Sequence, residues 1–178
     1  MDCALRLRER YRPRPEEIAE VRCRTAAGPI PRLWEPLAAK HRPKNGYAAK
    51  FSLPYLLASI LVNGRATLGD FTDEAVRDET LRAVAGKVYY DIDPTIDYPR
   101  HFIGHVAVRL TDGRVLEERQ DHPRGGPDAP MTREELTAKF RANAAEAGPD
   151  AQASRVVALV DALAAQARLA PLMDALTA

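Results

Sequence analysis

Cysteine, aromatic residues and long apolar runs are all scarce in this sequence. Cys3 and Cys23 are its two cysteines, and neither has another Cys or a His at the spacing of a metal site. We therefore expect two reduced structural thiols and no bound metal. No apolar segment approaches the roughly 20 residues of a membrane-spanning helix. Charges throughout 6–14 argue against a signal-peptide core, so the expected location is the cytoplasm.

Charge of neither sign predominates. Lys and Arg total 26 against 25 Asp and Glu, which gives a formal net charge of +1. We expect no nucleic-acid or membrane partner, because neither would be attracted by a long-range field. The sequence also lacks a Ser/His/Asp order, a glycine-rich phosphate loop and paired cysteines. His101 and His105 are four residues apart, but they lie in a strand-like segment where this spacing does not favour a metal site.

The first half of the chain alternates helical, strand-like and proline-rich segments. Helical spacing predicts a helix over 2–11, and alternation predicts a strand over 18–25. The segment 26–47 contains four prolines and reads as a long loop. Helices are predicted over 51–64, where Ser52 is a capping residue, and over 72–86.

The second half is predicted to be mainly β-structure followed by helices. Strands are expected over 88–93, 102–110 and 114–120, with Asp112-Gly113 as a tight hairpin turn between the last two. Thr132 and Glu135 form a capping-box pair that begins a further helix. The expected fold class is therefore α+β, with an antiparallel sheet packed with helices in a two-layer arrangement, plus terminal helices.

Three stretches carry a family resemblance. They are DCALRLRERY at 2–11, AKFSLPYLLASILVNGRATLGDFTDEAVRD at 49–78 and DGRVLEERQDHPRGGPDAPMTREELTAKFRANA at 112–144. In this order they resemble the carboxy-terminal half of the MmgE/PrpD family, which includes 2-methylcitrate dehydratase and cis-aconitate decarboxylase. The resemblance implies a family-like α+β domain over 1–150 and a helical tail over 151–178.

The resemblance also implies a function. Family members dehydrate, decarboxylate or epimerise small di- and tricarboxylic acids without a metal or organic cofactor, at a site between a large helical domain and a smaller α+β domain. Most catalytic His and Lys residues of the family lie in the helical domain, which this chain does not match. We expect this chain to be the substrate-covering part of a lyase or isomerase and to be inactive without a helical domain. The alternative is a non-catalytic, homo-oligomeric binding module derived from that domain.

Two segments contain the candidate site residues. Lys50 and Ser52 lie where a helix begins, so that a full charge and free amide hydrogens could bind a carboxylate. Tyr55 matches a family active-site tyrosine and is the candidate catalytic residue, as donor of a hydrogen bond or proton. The alternative is that Tyr55 only packs and Ser52 only caps. His122 and Arg124 occupy a glycine-rich loop, where an Arg fork suits a carboxylate, although a solvated loop would look the same.

Overall fold

The structure is a computed structural model that describes residues 1–177 and divides into two compact units. The first unit is Met1–Pro130, and the second begins at Met131. The scheme of a domain over 1–150 and a tail over 151–178 follows the family resemblance and stays a prediction.

A four-stranded sheet forms one layer of the first unit. Its strands are β1 (Ile18–Thr25), β2 (Val88–Ile92), β3 (Gly104–Leu110) and β4 (Val115–Gln120), in the order β2-β1-β3-β4. The β1–β3 and β3–β4 pairs are antiparallel, and the β1–β2 pair is parallel. The α+β prediction is confirmed, and the sheet is mostly antiparallel. The parallel pair exists because the chain between β1 and β2 is a helical crossover.

Helices form the other layer. They are α1 (Asp2–Tyr11), α2 (Ile30–Leu33), α3 (Leu37–His41), α4 (Gly46–Ala49), α5 (Leu53–Asn63) and α6 (Glu79–Ala85), with short 3-10 turns at Pro15–Glu17, Leu68–Phe71 and Ala75–Arg77. Helix α1 packs on β3 and β4, and α5 packs on β2, α1 and α6. Alternation along the strands turns Val21, Cys23, Val106 and Val108 into the core between the layers.

Two segments differ from the sequence-based expectation. The expected long loop contains α2, α3 and the start of α4, because its prolines fit the first turns of helices; Pro31 is in the first turn of α2 and Pro36 precedes α3. The expected helix over 72–86 is interrupted. Its main part, α6, begins after Asp78, whose carboxylate accepts hydrogen bonds from the backbone N–H groups of Thr80 and Leu81 at 2.7 and 3.0 Å.

Helix α5 is buried on most sides. Leu57, Ile60 and Leu61 belong to the main core against the sheet, whereas Tyr55 belongs to a second cluster with Val76 and other residues of the crossover. Apolar residues lie on nearly every face of α5. The helix must therefore be buried on both sides, since a solvent-facing side would leave large apolar side chains exposed. The helix therefore separates two apolar clusters of the first unit.

The second unit consists of helices. They are α7 (Arg133–Ala144), α8 (Asp150–Asp161) and α9 (Ala170–Thr177), with a 3-10 turn at Leu163–Ala165. The predicted capping box at the start of α7 is confirmed, because Thr132 Oγ1 accepts from the Glu135 N–H at 3.1 Å and Glu135 Oε2 accepts from the Thr132 N–H at 2.8 Å. No helix within residues 1–177 has the length and apolar character needed to cross a membrane.

Gly46 tests how closely α4 approaches residues 71–73. Its N–H donates to Asp73 Oδ1 at 2.8 Å, and a Cβ on Gly46 would lie 2.0 Å from the Phe71 carbonyl oxygen. We expect Gly46→Ala to lower the free energy of unfolding by about 2 kcal/mol or more, because backbone must move. Gly86→Ala is the matched control: its Cβ would meet no atom closer than 3.4 Å. Urea denaturation of both variants would contradict this packing if Gly46→Ala were the milder substitution.

Candidate functional site

Ser52 confirms the predicted start of α5 and places its hydroxyl inside the protein. Its Oγ accepts from the Tyr55 N–H at 3.1 Å and donates to the Lys40 carbonyl oxygen at 2.5 Å. The residue is 1% exposed. Both roles of the hydroxyl are therefore filled by this chain, as the capping interpretation of Ser52 requires.

Tyr55 lies one turn further along α5 and is fully buried. Its phenol donates to the Asp70 carbonyl oxygen at 2.9 Å, and its ring centroid is 6.1 Å from that of Phe71. Burial raises the pKa of Tyr55 to about 12, and the negative charges of Asp70 and Asp78 act in the same direction. A tyrosine is neutral at physiological pH even with its ordinary pKa of 10.0, and the raised pKa keeps the proton on Tyr55 further into the alkaline range.

The Asp70 side chain anchors the segment whose carbonyl oxygen, that of Asp70 itself, accepts the hydrogen bond from Tyr55. Its carboxylate, on a residue 5% exposed, accepts from the Thr67 N–H and hydroxyl at 2.8 Å each. Asn63 Nδ2 donates to it at 3.4 Å, and Arg65 Nε lies 3.5 Å away. Buried carboxylates require such partners. This polar group attaches the Leu68–Phe71 turn and its cap Thr67 to the end of α5. The Thr67-to-Asp70 spacing of a capping box is the sequence signal that could have identified it.

Two lysines lie near the beginning of α5, with different surroundings. Lys50 follows α4 and is exposed, and its ammonium makes no hydrogen bond or ion pair within residues 1–177. Lys40 was not foreseen. Its Nζ donates to the carbonyl oxygens of Arg32 and Phe51 at 2.6 and 2.7 Å, and burial lowers its pKa. Because the Phe51 carbonyl precedes the cap of α5, Lys40 is the cation attached to this helix start.

The glycine-rich loop binds a carboxylate that belongs to the chain itself. The Arg124 N–H donates to Asp2 Oδ2 at 3.3 Å, and Arg124 Nε lies 3.5 Å from Asp2 Oδ1. Gln120 Nε2 also donates to Asp2 Oδ2, at 3.1 Å. His122 points elsewhere, with its Nδ1 3.4 Å from Asp128 Oδ2. The loop can thus hold a carboxylate through a guanidinium, an amide side chain and a backbone N–H, and Asp2 carries no local sequence signal for this contact.

A cavity of about 360 Å³ brings the two predicted segments to a common border. Leu53 of α5 lines it on the helix side, and Gln120 and Pro123 line it on the loop side. The five predicted side chains themselves are not gathered there, since Lys50, Ser52, Tyr55, His122 and Arg124 are absent from its lining. Of the five, Ser52 and Tyr55 are in direct contact.

Metal-ligating side chains are dispersed in the described part of the chain. Among residues 1–177, no group of three or more His, Cys, Asp or Glu side chains is close enough to hold a metal ion. His105 illustrates this dispersal, because its Nε2 contacts Glu117 Oε1 at 2.5 Å and no further ligand joins the pair.

Comparison with known proteins identifies the family. Cis-aconitate decarboxylase of Mus musculus is 30% identical over 107 residues, which are 58% of this chain and 22% of that protein. Cis-aconitate decarboxylase of Homo sapiens is 28% identical over 106 residues, again 58% of this chain and 22% of that protein. The matched part thus spans about a fifth of these relatives. A family model described as the MmgE/PrpD C-terminal domain matches residues 1–164, and the chain therefore belongs to the MmgE/PrpD family.

Proposed function

We propose that this chain is the substrate-covering part of a cofactor-independent lyase or isomerase that acts on small di- or tricarboxylic acids. Candidate substrates are cis-aconitate and 2-methylcitrate. The match of residues 1–164 to the family's C-terminal domain carries this proposal, together with relatives whose name is cis-aconitate decarboxylase. Those relatives are several times longer than the matched part, so the proposed active form includes a helical domain that supplies the missing His and Lys residues.

Arg124 is the proposed binding group for a substrate carboxylate. The Asp2 carboxylate already receives the Arg124 N–H and guanidinium, together with the Gln120 amide. A substrate carboxylate has the same charge and shape, so it can replace Asp2 without a new geometry. His122 and Lys50 are exposed cations or potential cations that would neutralise further carboxylates of a polyanionic acid.

Tyr55 is the proposed catalytic residue, and Ser52 orients it. A neutral phenol can donate a hydrogen bond or proton to a substrate oxygen where negative charge develops. For this, the phenol must exchange the Asp70 carbonyl for the substrate, which requires movement of the Leu68–Phe71 turn. Ser52 limits the movement of the helix itself, because its hydroxyl bonds both the Tyr55 N–H and the Lys40 carbonyl.

A chimeric enzyme tests the catalytic proposal. The chimera is mouse cis-aconitate decarboxylase in which residues 1–164 of this chain replace the whole C-terminal family domain, of which the matched 107 residues are a part. We expect it to release CO2 from cis-aconitate, while the chain alone does not, because catalytic groups are missing from it. Turnover of cis-aconitate or 2-methylcitrate by the chain alone, or a folded chimera that binds neither acid, would contradict the proposal.

Opposite effects of two substitutions in the chimera test the carboxylate site. We expect Arg124→Ala to lower kcat/KM about tenfold to a hundredfold, because a charge-assisted hydrogen-bond pair is lost. Asp2→Asn should lower KM severalfold, since it removes the competing carboxylate. Arg119→Ala is the control, as Arg119 pairs with the exposed Asp121 at 2.9 Å. If Arg124→Ala and Asp2→Asn both only lowered stability, the Asp2 contact would be structural.

Tyr55→Phe tests the buried, neutral state of the phenol through the pH dependence of the free energy of unfolding. At pH 7 the variant should be less stable by about 1 kcal/mol, because the Asp70 carbonyl loses its donor. The unfolded phenol ionises from its ordinary value of 10.0, whereas the folded one has a pKa of about 12. The advantage of the unsubstituted chain is thus complete below pH 10 and decreases as pH rises toward 12. Chemical denaturation at pH 7, 10 and 11.5 measures the difference, and a constant difference would contradict the buried, neutral phenol.

The second candidate function is a non-catalytic, homo-oligomeric binding module, and the surface of the second unit favours it. Leu169 directly precedes α9, Met173 and Leu176 lie on it, and all three are more than half exposed. Exposed apolar surface of this kind commonly marks interfaces. We expect at least a dimer at about tens of micromolar. Leu169→Glu should weaken association about tenfold or more, whereas Val115→Glu, at a similarly exposed valine of β4, should not. Sedimentation showing a monomer would contradict self-association.

A further inference from the structure

An exposed arginine without an acidic partner lies beside the start of α5. Arg32 belongs to α2, and its guanidinium lies over the Phe51 ring, 4.9 Å from the ring centroid. Among residues 1–177 this guanidinium makes no hydrogen bond or ion pair. A guanidinium stacked on an aromatic ring keeps its N–H groups in one plane, and these groups can still form a two-point contact with a carboxylate.

Lys40 fixes the backbone on both sides of this stacked pair. Its Nζ donates to the Arg32 carbonyl oxygen at 2.6 Å and to the Phe51 carbonyl oxygen at 2.7 Å. One ammonium group thus connects α2 to the residue that precedes Ser52, the cap of α5. Because both carbonyls bind the same donor, Arg32 and Phe51 are already positioned in the free protein, which lowers the entropy cost of binding a ligand.

Tyr47 and Lys50 add two more exposed groups next to Phe51. The Tyr47 ring is 72% exposed and meets the Phe51 ring edge to face, with the ring centroids 5.4 Å apart. Lys50 directly precedes Phe51 and has helical backbone angles. Because Lys50 follows Tyr47 by three residues, their side chains are neighbours on one side of this helical turn. A guanidinium, an ammonium and a phenol therefore lie around one ring, and each offers hydrogen-bond donors.

The segment that contains these groups is positively charged. Residues 26–51 include five Lys and Arg residues and a single acid, Glu35, whereas the whole chain has a net charge of +1. The Glu35 carboxylate has other partners, since it accepts from the Tyr90 hydroxyl at 2.6 Å and from the Leu37 N–H at 2.9 Å. The segment thus has no acid of its own that neutralises Arg32, which favours an anionic ligand.

We propose that Arg32, Lys50 and Tyr47 form a binding site for a small acid with two or more carboxylates. Arg32 binds one carboxylate through two N–H groups, Lys50 neutralises a second, and the Tyr47 hydroxyl donates a further hydrogen bond. The choice of a carboxylic acid rests on the proposed function, in which Lys50 already neutralises a substrate carboxylate. Arg32 and Tyr47 are thus additional substrate-binding residues of that site.

Titration of the full 178-residue chain tests the site without an added domain. The probes are citrate, acetate and inorganic phosphate at constant ionic strength, and the readouts are calorimetry and the NMR signal of the Arg32 Nε–H group. We expect citrate to move this signal in a saturable way, with a Kd of about 1 mM. Acetate should bind about tenfold more weakly or worse, because its one carboxylate cannot neutralise both cations. Phosphate should also bind more weakly, since its compact shape meets fewer of the three groups.

Two arginine substitutions separate this site from general charge attraction. Arg32→Gln should weaken citrate binding about tenfold, because the two-point contact is lost. Arg42→Gln is the matched control, since it removes the same charge from the same segment. The Arg42 side chain is 65% exposed and is already paired with Glu79 at 3.3 Å, so its loss should change the affinity less than about twofold. An unmoved Arg32 signal, phosphate binding as tight as that of citrate, or equal losses in the two variants would overturn the proposal.

The chimeric enzyme distinguishes this inference from the proposed function. We expect Arg32→Gln to raise the KM for cis-aconitate about tenfold in the chimera. An active chimera whose KM is unchanged by Arg32→Gln would overturn the inference and leave the proposed function standing. A folded chimera without turnover, made from a chain that binds citrate through Arg32, would contradict the proposed function and support the binding site.

Discussion

Helix α5 is packed against other parts of the chain on most of its circumference, and the arrangement of the first unit depends on this. On one side its leucines and isoleucine meet the sheet, and on the other side Tyr55 meets Val76 and Leu81, which follow α5 in the chain. A helix apolar all round is stable in water only when both sides are covered. The sheet and the segment that follows α5 must therefore both be in place, and the residues at the start of α5 acquire fixed positions as a result.

The same packing explains why the beginning of α5 is polar yet closed. Ser52, Lys40 and the Asp70 group together satisfy the donors and acceptors that a buried helix end would otherwise leave unpaired. The loop containing Arg124 shows the corresponding arrangement for charge, since Asp2 neutralises the guanidinium. In both places a group of the chain occupies the position that the proposed function assigns to a substrate, and the proposal therefore includes an exchange of partners.

Features set by neighbours in sequence were predictable, and features set by distant contacts were not. The cap by Ser52, the capping box of Thr132 and the turn at Gly113, whose φ is 90°, follow from local rules of helix and hairpin geometry. The parallel pairing of β1 with β2 depends on a crossover whose path no local pattern specifies. For the same reason the roles of Lys40 and Asp2 were not foreseen, since their partners are carbonyls or loops brought near by folding alone.

The central position of β1 has a consequence for how this chain folds during synthesis. β1 hydrogen-bonds to β2 on one side and to β3 on the other, and both partners are translated only after the whole helical crossover. Until then its backbone donors and acceptors have no ladder to join, and its apolar residues remain uncovered. Pairing over such separations is slow because long loops must close first. Strand β1 is thus the strand whose apolar residues wait longest for cover while the rest of the sheet is synthesised.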